Sequence, residues 1–128
     1  MRMQRQLGRE DWVLAGLQAL ANGGAAAFRV EAAARALGVT KGSFYWHFRD
    51  RAAWRDAVLA YWEHRVFARL ALGPPRVRRD DPDWRAVDAA LRALAADDVA
   101  VARSLARVLR ERALSGDGAR SPPSRRAA

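Results

Sequence analysis

Apolar residues return every three or four positions along most of the chain, and no segment sustains a period of two, so the pattern is helical throughout. Val13, Leu14, Leu17, Leu20 and Ala21 fall on one face of a helix from about Arg9 to Ala21, which Asn22-Gly23-Gly24 ends. Val30 to Leu37, "VEAAARAL", forms a second, shorter helix of strong helix formers, with Glu31 near its positive end and Gly38 as its stop. Thr40 is placed to cap a third helix from Lys41 to about His47, and Asp50 to cap a fourth. In the fourth, Trp54, Ala57, Val58, Tyr61 and Trp62 recur at helical spacing. A linker over 66–82 contains Gly73-Pro74-Pro75, and Pro82 lies at or just before the next helix start. Trp84, Val87, Leu91 and Leu94 mark a fifth amphipathic helix. Asp97 or Asp98 caps a sixth, with Val101, Leu105, Val108 and Leu109 inward. Residues 115–128 lack any large apolar side chain and read as a disordered tail, and 1–8 as a flexible basic arm.

At 128 residues, half of them hydrophobic, the chain has enough apolar material for one packed domain, or a very small one with a helical extension. No stretch approaches the roughly 20 apolar residues of a membrane span. The N-terminus is basic but lacks the apolar run of a signal peptide, which predicts a cytoplasmic chain. Cysteine is absent, so disulfides and thiolate metal sites are excluded. The net charge of +9 suits a polyanionic partner, because neutralised phosphates release counterions. The surplus is spread over both halves and is almost entirely arginine, so charge alone identifies no site. The single lysine is Lys41.

That lysine opens the densest cluster of chemistry in the chain, "KGSFYWHF". Two short helices joined by "LGVT", the second polar at its start, fit a helix-turn-helix. Gly38 permits the sharp turn and Val39 plugs the small core between the helices. Phe44 and Phe48, four apart, share a buried face. That leaves Lys41, Gly42, Ser43, Tyr45, Trp46 and His47 on the remaining surface, although Trp46 could also lie partly under the fourth helix. Lys41 can donate to guanine or to phosphate, and Ser43 can bond either. Gly42 lets a backbone approach a duplex closely. Tyr45 and His47 carry polar tips suited to phosphate oxygens, and Trp46 can donate its indole N–H or pack on sugar and thymine methyl. The start of the third helix also favours an anion.

The stretch "FRVEAAARALGVTKGSFYWHFRDRAAWRDAVLAYWE" resembles the DNA-binding domain of TetR-family transcriptional regulators. Gly38, Val39, Thr40, Gly42, Phe44, Tyr45, His47 and Phe48 stand where that family's pattern expects them, as do Asp50 and Trp54, and the likeness covers about 9–65. The resemblance implies an all-α fold: a three-helix helix-turn-helix domain, a long connecting helix, and a helical C-terminal region over 83–114 that is truncated relative to the family. It implies double-stranded DNA as partner and repression as the common mode. It also implies a contact set in which Thr40, Tyr45 and His47 clamp phosphates while Lys41, Ser43 and Trp46 read bases beside Gly42. Two positions depart from the pattern. Arg29 replaces a Thr or Ser that caps and touches phosphate; arginine still reaches phosphate but caps poorly. Ala33 replaces a larger aliphatic residue, which predicts a thinner core.

Nothing after Leu114 resembles the helices through which the family dimerises, so the sequence predicts a shortened member, from a truncation or frameshift near residue 114. The same shortness argues against an effector pocket, since two or three helices do not readily enclose a few hundred Å3. It leaves a homodimer, or a heterodimer with a related regulator, as the partner on the protein side. His47 and His64 have no cysteine or carboxylate cluster beside them, and Ser43 has no triad. The sequence therefore predicts no enzyme, no metal and no cofactor. The competing reading is a non-catalytic interaction module that pairs with or modulates a full-length regulator.

Overall fold

A computed structural model describes residues 7–125, with side chains to residue 116; residues 1–6 of the arm predicted over 1–8 lie outside the described residues. Among these residues the chain is all-α, with five α-helices, two 3₁₀ turns and no strand. The α-helices are α1 (Arg9–Gly23), α2 (Val30–Leu37), α3 (Arg51–Leu72), α4 (Trp84–Leu94) and α5 (Val99–Arg125). The 3₁₀ turns are Ala25–Ala27 and Lys41–Trp46. α1 packs against α2, α3 and α4, while α5 packs against α3 and α4.

The predicted stops and caps account for most of the boundaries. Gly24 ends α1 with φ of 76°, and its N–H reaches the Leu20 carbonyl at 2.9 Å. At the end of α2, Gly38 takes the left-handed conformation with φ of 72°. There the Val39 N–H returns to the Ala34 carbonyl at 3.0 Å and the Gly38 N–H to that of Arg35 at 3.1 Å, the paired bonds of a Schellman motif. Asp50 accepts from the Ala53 N–H at 2.8 Å to start α3. Of the two aspartates predicted for α5, Asp98 is the cap, accepting from Ala100 and Val101. The cap of α4 is Asp83, one residue past the buried Pro82.

Several expectations from the pattern need correction. α3 continues through 66–72, assigned to the linker from sequence, because Val66 is buried on the same stripe as Trp62 and the first helix-ending glycine is Gly73. The linker that remains is tied back to the fold by Gln18, whose side chain donates to the Asp80 carbonyl at 2.9 Å. The α5 backbone runs on over 115–125, where a disordered tail was expected; extending an existing helix is far easier than nucleating one. Residues 126–128 lie outside the described residues. Leu109 is 46% exposed rather than inward, and the inward position on α5 is taken by Ser104, fully buried and donating to Glu63 of α3.

The core has two lobes joined by α3. The first is aromatic: Trp12, Phe28, Phe44, Phe48 and Trp54 are all buried. Phe28 and Trp54 stack at 4.2 Å with their planes 6° apart, and the Trp54 indole donates to the Trp12 carbonyl at 2.9 Å. Ala33, expected to thin this core, is buried among these larger residues. The second lobe is aliphatic, with Val87 and Leu91 of α4 and Val101 and Val108 of α5 beside Trp62 and Val66 of α3. Polar bridges reinforce it: Arg55 to Asp98 at 3.3 Å, Arg107 to Glu63 at 2.7 Å, and Asp88 held between the Trp62 indole at 2.8 Å and Arg112 at 3.3 Å. A groove of about 420 Å3 lies between α3, α4 and α5, lined in part by Trp62, Arg65, Trp84, Asp88 and Arg112.

Gly16 marks the tightest approach in the aromatic lobe. A Cβ there would lie 3.0 Å from Trp54 and 3.1 Å from both Phe28 and Val58. Alanine raises helix propensity by about 1 kcal/mol, but Trp54 is fixed by its stack and its hydrogen bond, and overpacking costs about 1–3 kcal/mol. Gly16→Ala should therefore lower the urea unfolding midpoint; an unchanged or raised midpoint would show that the stack can yield.

Candidate nucleic-acid interface

The segment Lys41–Trp46 is a 3₁₀ helix rather than the α-helix expected from the sequence. The Ser43 N–H binds the Thr40 carbonyl at 3.1 Å, and the His47 N–H binds that of Phe44 at 2.9 Å. Thr40 occupies the capping position with extended backbone, yet its side chain accepts no N–H. The reason is local: in the tighter turn, the Ser43 N–H that a threonine cap would take is already bound to the Thr40 carbonyl. The anion-favouring helix start also shrinks to two tight turns, because six residues align few peptide dipoles. The last link is α-like, with the Phe48 N–H on the Phe44 carbonyl at 3.0 Å, and this brings Phe48 back to the face of Phe44.

Phe44 fixes the segment. It is fully buried and meets Trp12 at 5.3 Å, Phe48 at 5.3 Å and Trp54 at 5.6 Å, so α1 and α3 both grip it. With Phe44 and Phe48 turned inward, the other predicted residues of the segment are left at least partly open to solvent. Thr40, Lys41, Gly42, Tyr45 and Trp46 are exposed, and Ser43 and His47 are half-buried. Tyr45 is 56% exposed while its ring stands edge-on to Phe44 at 5.0 Å. Trp46 is 86% exposed, which removes the alternative that it packs under α3. Gly42 has a negative φ, and a Cβ there would meet nothing nearer than the Thr40 hydroxyl at 3.8 Å. No internal contact requires a glycine at this position.

Arg29 precedes α2 at its capping position and makes no side-chain cap, as the sequence predicts. Its guanidinium lies 4.0 Å from one Glu31 oxygen, and Lys41 donates to the other at 3.4 Å. This carboxylate link was missed from sequence, because Glu31 reads as a helix-dipole residue and nothing in the pattern shows that ten residues on the chain returns beside it. Glu31 is held below the usual carboxylate range, first by its own backbone N–H and then by Lys41. The link therefore persists at neutral pH and above, and is lost as the pH falls through that lowered value. Two further arginines frame the surface. Arg49 is exposed beside Asp50, and Arg51 donates to the Phe28 carbonyl at 3.2 Å while lying over the Phe28 ring.

This geometry, a glycine-turned helix pair presenting polar and aromatic side chains from a short second element, coincides with a family match. Residues 13–58 match the model of the bacterial regulatory proteins of the tetR family, a span that begins in α1 and ends inside α3. The segment is a tetR-family domain. A crystal structure assigned as a TetR-family transcriptional regulator from Rhodococcus sp. is similar over a longer span, with 29% identity and a TM-score of 0.55. The likeness covers 94% of this chain and 76% of that one, so it extends beyond the tetR-family domain into α4 and α5. No curated protein matches. Among the described residues, no group of His, Asp or Glu is arranged to hold a metal ion, and no helix is long and apolar enough to cross a membrane.

The two aromatic roles separate cleanly by substitution. Phe44→Ala should destabilise the domain by about 3–5 kcal/mol. Trp46→Ala, removing an exposed ring, should stay within about 0.5 kcal/mol of the parent. Chemical denaturation of both variants measures the difference, and a large loss from Trp46→Ala would show that this ring supports the fold.

Proposed function

We propose that this transcription regulator binds double-stranded DNA sequence-specifically, laying Lys41–Trp46 and His47 into the major groove, and acts as a repressor. In this reading Arg29, Thr40, Tyr45 and His47 hold phosphates, which sets register without reading sequence. Lys41, Ser43 and Trp46 face base edges. The observation that carries the reading is the surface itself: an indole 86% exposed stands next to a glycine that no internal contact requires. A duplex accounts for both, since it covers the ring and needs the backbone close. Repression follows the common mode of the family.

A second reading is favoured by a different observation. Leu109 is 46% and Leu114 64% exposed on α5, and Leu72 at the end of α3 is also exposed. Such residues suit an interaction module that pairs with a second copy or with a related regulator. Light scattering after size exclusion separates a monomer from a dimer.

The DNA reading is tested by selecting genomic fragments on the purified protein and titrating the enriched duplex against salt. Lys41→Ala and Tyr45→Ala should each weaken binding about tenfold, and loss of the neutral Tyr45 should do so without changing the salt slope, which follows the phosphates neutralised by cations. Gly42→Ala should leave stability nearly unchanged and weaken the complex. Absence of any enriched fragment, or unchanged affinity in all three variants, would remove the assignment and favour the interaction module.

A further inference from the structure

The link from Glu31 to Lys41 lies across the proposed reading surface and has no packing role. Both side chains are about half exposed, and neither contributes to the aromatic lobe. The same carboxylate faces Arg29, so one anion is shared by a cation before α2 and a cation that opens the reading segment. Lys41 is also the only lysine in the chain, and therefore the only ammonium donor that a side chain of this protein can place in a groove.

We infer that Glu31 is a positioning residue that holds Lys41 in reserve, releasing it only to a duplex acceptor that outcompetes the carboxylate. The inference rests on the DNA reading above. An exposed ion pair is weak in absolute terms, corresponding to a factor of at most about five in an equilibrium constant. A single backbone phosphate, itself hydrated and wrapped in counterions, offers Lys41 an exchange of similar strength. On an arbitrary sequence, then, the lysine gains nothing by leaving Glu31. A guanine presenting O6 and N7 in the groove offers two acceptors in fixed positions, and such a contact discriminates by considerably more than the ion pair holds. Lys41 therefore reports a matched site and adds little to random attachment. Because the lysine starts from a defined partner, it is ordered before contact and loses less rotamer freedom on transfer.

The single lysine makes the test direct. Incorporation of lysine labelled with 15N at Nζ keeps all three of its N–H donors and places one side-chain ammonium resonance on the folded protein. In the parent, a random-sequence duplex should leave this resonance near its free position, whereas a duplex enriched by genomic selection should move it. In Glu31→Gln the free resonance should already differ, and the random duplex should now move it as well. The same variant should bind random duplex about two- to fivefold more tightly, with a salt slope steeper by up to about 0.9. That change of slope should vanish when Lys41→Met is added. Glu111→Gln, an exposed carboxylate on α5, controls for net charge alone and should show none of these effects. The inference is overturned if the random duplex moves the Lys41 resonance equally in the parent and in Glu31→Gln, or if the change of slope survives in the double variant. If neither protein retains any duplex at low salt while the free resonances differ, the DNA reading has failed even though the ion pair exists. Circular dichroism confirms that Glu31→Gln keeps the α2 helix.

Discussion

The Trp54 indole is the constraint on which the rest of the structure depends. It stacks on Phe28, stands edge-on to Phe44 and donates its N–H to the Trp12 carbonyl. In one side chain it ties α3 to α1, to the loop before α2 and to the Lys41–Trp46 segment. A Lys41–Trp46 turn of six 3₁₀ residues has little stability of its own, since such turns are short and their hydrogen bonds poorly aligned. Its geometry is imposed from beneath by the rings that hold Phe44. The surface side chains are therefore arranged by the core, and a loss of packing at Trp54 would disturb a face that Trp54 does not reach.

Helix existence and most ends were legible because each is set by one or two local residues. The left-handed glycines Gly24 and Gly38 and the caps Asp50 and Asp98 act within a turn of their own position, so their signal lies in the sequence beside them. The inward pair Phe44 and Phe48 was legible for the same reason. The 3₁₀ form of the segment was not. A period of three and one of 3.6 differ little over six residues, and the choice between them follows from how α1 and α3 grip Phe44. Leu109 was misplaced and the buried Ser104 passed over because the burial of α5 depends on which face α3 and α4 present, and no pattern internal to α5 records that. Trp12, fully buried, was passed over because the charged run Arg9-Glu10-Asp11 before it masked the start of the apolar stripe.

The surface chemistry shows a similar division. The identities of the exposed residues came from the pattern, but their connections did not. Glu31 is unremarkable as a member of α2 and becomes informative only when Lys41 and Arg29 are seen on either side of it. Contacts that cross the turn of a helix-turn-helix depend on its angle, which the Schellman closure at Gly38 sets. The charges at this face are thus arranged by backbone geometry as much as by composition.

The length of α3 has a mechanical consequence. At about 1.5 Å per residue its 22 residues form a rod of about 33 Å, with its start seated in the aromatic lobe, its middle packed on α5 and its last four residues exposed. Trp54 clamps it in the first lobe and Trp62 in the second, two turns apart, and there is no proline or glycine between its ends to bend it. A rod fixed in this way cannot be moved in one lobe alone. A tilt of about 5° imposed at Arg69 would carry Arg51, about 27 Å away, through about 2 Å. The two lobes thus share a lever, and strain at either end is felt at the other as a change of position.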